Sequence, residues 1–235
     1  FVTYLKGVLE KYESLPELLA RDKQLVSFLQ KPGERGRIDA FNKYLETING
    51  ISNASDTYIM DREGLTIASS NWNTEHPFVG RNFSYRPYFQ QAMKGHLGRY
   101  FALGTTSSKR GYYFAYPVRK DMEILGAVVI KTDIDVVEKQ WEYHAETFMV
   151  TDPENVVFLT TKPKWRFSIF GDIDPATRAL IVESRRYPNS DLTPMDIRSV
   201  KKYPFGEVIN LFRNETEFTT YLKQSVFMEE AGWSV

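Results

Sequence analysis

Residues 57–69 read TYIMDREGLTIAS, and this stretch decides the fold. Its two arms, residues 57–60 and 65–69, are rich in the β-branched and apolar side chains that favour strands. The tetrapeptide between them, DREG, contains an aspartate and ends in a glycine, which are residue types of a tight turn. The pattern therefore predicts a β-hairpin.

The segment after the hairpin extends it into an α+β unit. A short helix is predicted over residues 84–94, with Ser84 as its N-terminal cap and Gly95 just beyond its end. Three strands are predicted next, over residues 100–103, 112–118 and 124–132. A hairpin, a helix and three antiparallel strands together describe one compact unit.

The hairpin pattern returns about 90 residues further along the chain. Residues 147–158 read TFMVTDPENVVF, again with two apolar arms around a turn. A connecting helix is predicted over residues 135–145, where Asp135 and Glu138 have the spacing of a capping box. The remaining predicted elements are a helix over residues 175–184 and strands over residues 217–222 and 233–235. The repeat favours a duplicated module, with two unrelated hairpins as the alternative.

The first 50 residues carry apolar side chains at helical spacing. One stripe covers residues 5–28, and a second covers residues 38–48 and closes at Gly50. Pro16 marks a point at which the first helix can restart, with Ser14 as its cap. An unbroken helix of ~28 residues would be about 40 Å long, which suits a stalk or a dimer contact. The predicted dimer contact consists of Leu5, Val8 and Tyr12. The alternative is a pair of ordinary packed helices.

The composition argues against several classes of protein. Among 235 residues, 30 Lys and Arg balance 30 Asp and Glu, which disfavours a nucleic-acid binder with a broad basic face. There is no Cys, and the three histidines are far apart, so no metal site or cofactor is predicted. Residues 104–111 lack the ending of a Walker phosphate loop, and no G-x-S-x-G elbow occurs. The sequence therefore predicts no catalytic residues.

Three features favour a ligand site instead. Arg86 stands at the predicted helix start, where free N–H groups and a planar guanidinium both attract a carboxylate. Residues 105–108 form a hydroxyl-rich loop between two strands. Lys131 interrupts an apolar strand, where an ammonium is costly unless it is paired. The alternative places Lys131 at the solvated end of the strand, paired with Asp133.

Four motifs give the chain a resemblance to a known family. They are RPYF at residues 86–89, GTTSS at 104–108, GYYFAYPV at 111–118 and GAVVIKTD at 126–133. Together they resemble the periplasmic sensor region of the C4-dicarboxylate sensor histidine kinases, the DctB type. The closing segments YLKQS and GW, residues 221–225 and 232–233, resemble the strand pair that precedes the second membrane helix of that family.

The resemblance implies an α+β fold in which a long N-terminal helix precedes two PAS-like modules with antiparallel sheets, the double Cache arrangement. The implied domains are an N-terminal helical stalk, a membrane-distal ligand-binding module and a membrane-proximal module, over residues 1–50, 51–140 and 141–235. It further implies a periplasmic region of a bacterial inner-membrane protein. Transmembrane helices would flank this region, and the catalytic kinase part would lie outside it.

The resemblance also implies a ligand. In amino-acid receptors of the same fold, an aspartate commonly stands where Lys131 aligns and holds the ligand's ammonium, so a lysine there favours a second carboxylate. Arg86 and Lys131 then form the two ends of a clamp for succinate, fumarate or malate. The implied ligand contacts are Arg86, Thr105, Ser107 and Lys131, followed by Ser84, Tyr88, Thr106 and Tyr113. Phe89 is assigned to the pocket wall or the core.

Two alternative functions remain open. A double Cache chemoreceptor, or another signalling domain, would use the same module for a different small carboxylate or amino acid. An extracellular scaffold would bind no ligand. The expected partners are a small dicarboxylate and a second copy of the chain, in a homodimer through the N-terminal helix.

Overall fold

The computed structural model describes residues 1–33, 35–106, 109–141 and 146–235. The chain divides into two compact units, Thr3–Ile134 and Asp135–Val235. Each unit has its own antiparallel β-structure and its own buried side chains. None of the described helices is both long enough and apolar enough to cross a membrane.

The elements of each unit follow one another in chain order. The first unit contains α1 (Val2–Glu13), α2 (Leu15–Ala20), α3 (Lys23–Gln30), α4 (Arg35–Ser52), β1 (Asp56–Asp61), β2 (Thr66–Ser69), α5 (Pro87–Met93), β3 (Gly98–Leu103), β4 (Arg110–Lys120) and β5 (Glu123–Asp133). The second contains α6 (Asp135–Trp141), β6 (Met149–Thr151), β7 (Val157–Thr160), a 3-10 turn (Pro163–Trp165), α7 (Pro175–Glu183), β8 (Ile197–Tyr203), β9 (Gly206–Phe212), β10 (Phe218–Lys223), β11 (Phe227–Met228) and β12 (Trp233–Ser234).

The helical N-terminal region is confirmed, but it is divided into α1, α2 and α3. Ser14 occupies the position before α2, and its side chain makes no capping hydrogen bond. Asp22 caps α3, since its carboxylate accepts the N–H of Gln24 at 2.8 Å. The unbroken helix of ~28 residues is therefore not formed. α4 continues past Gly50 and is followed by Asn53 at a φ of 55°.

The N-terminal helices pack within their own unit. α2 and α3 contact β4 and β5, and α4 contacts β1 and β2. Leu5 and Tyr12, two of the residues predicted to form a dimer contact, are buried within the chain. Residues 3–50 thus belong to the same compact unit as the sheet.

The first unit is built on one sheet in the order β2-β1-β5-β4-β3, with every pair antiparallel. The predicted hairpin is confirmed as β1 and β2, and Asp61 Oδ1 accepts the N–H groups of Glu63 and Leu65 in its turn. On the central strand β5, Val129 packs in the same cluster as α5, whereas Val128 points to the opposite face. Both are fully buried, so both faces of the sheet are covered.

The second unit holds two antiparallel sheets, in the orders β11-β12-β6-β7 and β10-β9-β8. The second predicted hairpin is confirmed as β6 and β7. Helix α6 begins at Asp135 itself, and Glu138 accepts the backbone N–H of Thr160 at 2.8 Å, so Glu138 anchors β7. Residues 142–145 of the predicted helix lie outside the described residues. The hairpin of β8 and β9 was not predicted from the sequence. The charged residues of β8, in the sequence RSVKKY, hide the alternation of apolar and polar side chains that is typical of a strand.

Candidate functional site

An open cavity, with about 250 Å³ of empty space that includes open solvent, lies in the first unit, where α5 faces the sheet. Arg86 and Tyr88 line it from the start of α5, and Tyr58 and Tyr113 line it from β1 and β4. The loop after β3 contributes Thr105. The other lining residues are Phe78, Phe83, Gly104 and Thr106. The cavity thus brings together Arg86, Tyr88, Thr105, Thr106 and Tyr113 from the predicted ligand contacts.

The start of α5 places Arg86. Pro87 occupies the first helical position, where its missing N–H costs nothing, and Arg86 is the N-cap residue with an extended backbone. The predicted helix start at Ser84 is therefore wrong. Ser84 is exposed and lies outside both α5 and the lining of the cavity. The side chain of Arg86 is only 3% exposed, which withdraws its guanidinium from bulk water.

Hydroxyl groups and aromatic rings surround the guanidinium of Arg86. Its Nη2 donates to Thr105 Oγ1 at 3.4 Å, and its central carbon lies 5.1 Å from the centre of the Tyr85 ring. Burial acts to lower the pKa of Arg86, but Tyr85, Tyr88 and Tyr113 outweigh it, so the pKa lies above its ordinary value. Arg86 is therefore a permanent cation that can hold a carboxylate through two parallel N–H groups.

Three tyrosines form a wall of the cavity. The hydroxyls of Tyr58 and Tyr88 share a hydrogen bond of 2.8 Å, and the ring of Tyr88 stacks on that of Tyr113 with 5.1 Å between centres. Burial raises the pKa of Tyr58 and of Tyr113, so both hydroxyls keep their protons. The wall therefore presents neutral hydroxyl groups rather than negative charge.

Lys131 is buried near the end of β5. Its side chain is 1% exposed, and its Nζ lies 3.2 Å from Asp56 Oδ2 and 5.5 Å from the centre of the Phe78 ring. Burial acts to lower the pKa of Lys131, but Tyr113 and Asp56 outweigh it, so the pKa lies above its ordinary value. The alternative of a solvated strand-end lysine is wrong, because Lys131 is buried. Its ammonium forms an ion pair of 3.2 Å with Asp56, and Asp133 also acts to raise its pKa.

Tyr113 lies near both cations, Lys131 and Arg86. It lies opposite Lys131 in the β4–β5 register, and it lines the cavity together with Arg86. Lys131 and Arg86 both act to lower the pKa of Tyr113, although burial has the larger effect and raises it. The site therefore combines two permanent cations near one tyrosine hydroxyl, with the carboxylate of Asp56 beside the second cation. This charge pattern suits a small anion with two negative groups.

Sequence reasoning missed Asp56 and Gly111. Asp56 is the antiparallel partner of Lys131, and 75 positions of chain separate the two residues, so no local pattern links them. Gly111 lies against the side chain of Lys131. A glycine at the start of a strand rich in aromatic residues was the available signal, since such glycines mark a close approach. Phe89 lies in the core cluster, and Ser107 lies outside the described residues.

The polar groups at and beside the cavity suit an anion. A guanidinium and several hydroxyls line the cavity, and an ammonium that is paired with one carboxylate lies beside it. Across the described ranges of the chain, no three His, Asp or Glu side chains come together in a way that could hold a metal ion.

Two curated relatives are similar to this chain, whereas no protein-family model matches it. The "C4-dicarboxylate transport sensor protein DctB" of Pseudomonas aeruginosa is 34% identical over 235 residues, which is 100% of this chain and 35% of that protein. The protein of the same name from Rhizobium meliloti is 33% identical over 202 residues, 86% of this chain and 32% of that protein. The chain thus spans about a third of the length of these relatives.

Solved structures give two further comparisons. The sensor domain of the V. cholerae histidine kinase DctB is 36% identical, with a TM-score of 0.92 over 99% of this chain and 90% of that one. The ligand-binding domain of the Campylobacter jejuni chemoreceptor Tlp3, solved with 4-methylisoleucine, is 15% identical, with a TM-score of 0.54 over 89% of this chain and 78% of that one. The first likeness extends over nearly all of both chains, and the second shows the fold alone.

Proposed function

This chain belongs to the family of DctB-type sensor domains, and from that premise we propose that it senses C4-dicarboxylates as the extracytoplasmic part of a two-component sensor histidine kinase. Succinate, fumarate and malate are the proposed ligands, and the first unit is the proposed binding unit. The kinase chemistry would belong to a part of the full-length protein outside this chain.

The observation that carries this function is a pair of buried cations, one in the lining of a small cavity and one beside that lining. Arg86 lines the cavity, and Lys131 lies next to Phe78 and Tyr113, which also line it. Two fixed cations match the two carboxylates of the ligand in number and sign. The names of the two curated relatives support the same ligand class.

Four of the proposed ligand contacts have a definite role. Arg86 holds one carboxylate through two parallel N–H groups, and Thr105, whose hydroxyl lies 3.4 Å from Nη2, donates to the same group. Lys131 holds the second carboxylate with its ammonium. Tyr113 donates from between the two cations. The further contacts proposed from the resemblance are Tyr88, Thr106 and Ser107, whereas Ser84 lies outside the lining of the cavity.

Binding is proposed to act by shifting an equilibrium between two shapes of the domain. A ligand moves such an equilibrium only through its different affinity for the two shapes. The signal would pass through flanking transmembrane helices to a cytoplasmic kinase, and the proposed location of this domain is the periplasm of a bacterium. A homodimer through α1 would have to use its more exposed side, where Tyr4 lies, because Leu5 and Tyr12 are buried.

A thermal-shift panel followed by calorimetry tests the proposed ligand class. Succinate, fumarate and malate are compared with butyrate, which lacks the second carboxylate, and with alanine. A ligand present at 100 times its Kd adds about 2.7 kcal/mol of stability, which is a readily measured rise in Tm. The expected result is a large rise with the dicarboxylates, a smaller rise with butyrate and none with alanine. A rise with alanine alone would point to an amino-acid receptor, and a flat panel would point to a scaffold.

Two arginine variants tie the result to the cavity. Arg86→Ala should lose succinate binding by calorimetry while the domain stays folded. Arg81→Ala removes an exposed arginine of the same unit and should keep the wild-type affinity. Equal affinities in the two variants would remove Arg86 from the ligand site.

A further inference from the structure

The side chain of Lys131 lies flat against the backbone of β4 at Gly111. A Cβ atom built on Gly111 would stand 2.8 Å from Cε of Lys131, 3.0 Å from its Cγ and 3.4 Å from its Cδ. The first of these distances is shorter than van der Waals contact allows. The stem of Lys131 therefore occupies the space that any other residue at position 111 would fill.

The backbone conformation of position 111 does not itself require a glycine. Gly111 lies outside the left-handed region of φ, so an L-residue can adopt the same backbone without strain. Two other glycines of the sheet differ in what they touch. A Cβ on Gly98 would meet the carbonyl oxygen of Tyr88 at 2.0 Å, and one on Gly126 would meet that of Met60 at 2.1 Å. Gly98 and Gly126 thus leave room for the backbone of a neighbouring element, whereas Gly111 leaves room for the aliphatic part of the Lys131 side chain.

Lys131 is therefore held from both neighbouring strands. On one side, Asp56 of β1 takes its ammonium in an ion pair of 3.2 Å. On the other side, the bare backbone of Gly111 on β4 receives its stem. The ammonium is kept beside Phe78 and Tyr113, both of which line the cavity.

We propose that Gly111 is a positioning residue that sets the preference of the site for dicarboxylates over monocarboxylates. It acts through Lys131, because a methyl group at position 111 pushes the lysine stem away and carries the ammonium off its place. This inference rests on the proposed function, in which Lys131 binds the second carboxylate. Arg86 lines the cavity from α5 and is not touched by the change, so binding of a single carboxylate should persist.

The fold should survive this substitution. The atom that a new Cβ meets at 2.8 Å is Cε of Lys131, near the end of a flexible side chain and not part of the backbone, so a change of side-chain rotamer can relieve the clash. The matched control is Gly36→Ala, because a Cβ at Gly36 meets nothing within 4 Å. Neither substitution removes a charged or hydrogen-bonding side chain.

Calorimetry on four proteins tests the inference: the wild type, Gly111→Ala, Lys131→Met and the double variant. Succinate affinity should fall at least tenfold in Gly111→Ala, while butyrate affinity stays within about twofold of the wild type. In the Lys131→Met background, Gly111→Ala should cause no further loss of succinate affinity, since no ammonium remains to be displaced. Gly36→Ala should bind as the wild type does.

Crystal structures of the wild type and Gly111→Ala give a readout that needs no ligand. The wild-type ammonium should lie at its ion-pair distance from Asp56, and the variant's ammonium should be displaced. An undisplaced lysine in the variant overturns the inference, and so does a Gly111→Ala protein that fails to fold.

The two proposals fail in different ways. Wild-type succinate affinity in Gly111→Ala, together with a loss in Lys131→Met, overturns the role of Gly111 and leaves the proposed function standing. A wild type that binds no dicarboxylate overturns the proposed function, and the crystal structures then decide the role of Gly111 alone.

Discussion

The two units begin with the same kind of hairpin, β1–β2 in the first and β6–β7 in the second, yet they treat buried charge differently. In the second unit, Arg186 Nη1 lies 2.8 Å from Asp152 Oδ2 and also pairs with Glu154, and the hydroxyl of Tyr187 donates to Asp152 at 2.6 Å. The charges there are neutralised inside the protein. In the first unit, Arg86 lines a cavity with tyrosines around it.

The strands that pair with the two hairpins also differ in the side chains that they carry. β1 is paired with β5, which carries Lys131, whereas β6 is paired with β12, which begins with Trp233. Trp233 packs edge-on against Phe158 with 4.7 Å between ring centres. A shared hairpin thus supports a cationic cavity in one unit and a packed aromatic core in the other. The comparison indicates that the two units differ chiefly in the residues around a shared hairpin, which are Arg86 and Lys131 in the first unit and Trp233 in the second.

The largest effect is expected when the charge that distinguishes the first unit is reversed. Lys131→Asp places a carboxylate where the ligand's second carboxylate would lie, and like charges at close range cost several kcal/mol. Succinate affinity should fall below detection by calorimetry. Lys131→Met removes the cation without adding an anion, so its loss of affinity should be smaller. Near-normal succinate affinity in both variants would falsify the clamp.

The next effect separates binding from stability by deleting one arginine in each unit, the buried Arg86 and the partly buried, ion-paired Arg186. Arg86→Ala should lose succinate affinity with little change in unfolding free energy. Arg186→Ala leaves Asp152 buried without its cation, and it should cost roughly 3 kcal/mol of stability while succinate affinity is kept. Urea unfolding and calorimetry on both variants measure the two quantities. The opposite pattern would mean that the second unit holds the ligand.

A smaller effect distinguishes the hydrogen bonds of the two buried tyrosines. Tyr88→Phe removes a bond between two neutral hydroxyls, which is expected to cost about 1 kcal/mol of stability. Tyr187→Phe removes a bond to the carboxylate of Asp152, which is expected to cost about 2 kcal/mol. Chemical unfolding of the two variants under identical conditions compares them. A larger loss in Tyr88→Phe would contradict the contrast drawn between the units.

The smallest effect concerns pH and the first unit alone. The pKa of Lys131 is raised above 10.5, so its contribution to stability is present below that pH and is lost as the pH rises through the folded-state pKa. The pKa of Arg86 is also raised, so both cations keep their charge near neutrality. Succinate affinity should therefore stay constant between about pH 6 and pH 9, and it should fall below about pH 5 as carboxyl groups are protonated. A tenfold change of affinity between pH 6 and pH 9 would reveal another titrating group in the site.

Local sequence patterns were sufficient to predict the two hairpins and strands β3, β4 and β5, and to draw attention to Arg86 and Lys131. The two hairpins follow from apolar arms around turn residues, and β3, β4 and β5 follow from strand-forming runs. Arg86 and Lys131 stand out because each is a charge in an apolar context, a feature visible within a few residues of sequence. Hydrophobic periodicity and an isolated charge are properties of a few neighbouring residues, so they can be recognised directly in the sequence.

Other features were decided by tertiary contacts. The N-terminal region is divided into three helices, and this division lets α2 and α3 pack along the sheet. The stripe of apolar residues by itself is also compatible with one continuous helix. Asp56 pairs with Lys131, and Gly111 receives its stem, because β1 and β4 are the strands that flank β5. The sequence by itself determined that a lysine interrupts an apolar strand. The sheet order decided what surrounds that lysine, because only folding brings together residues that are distant along the chain.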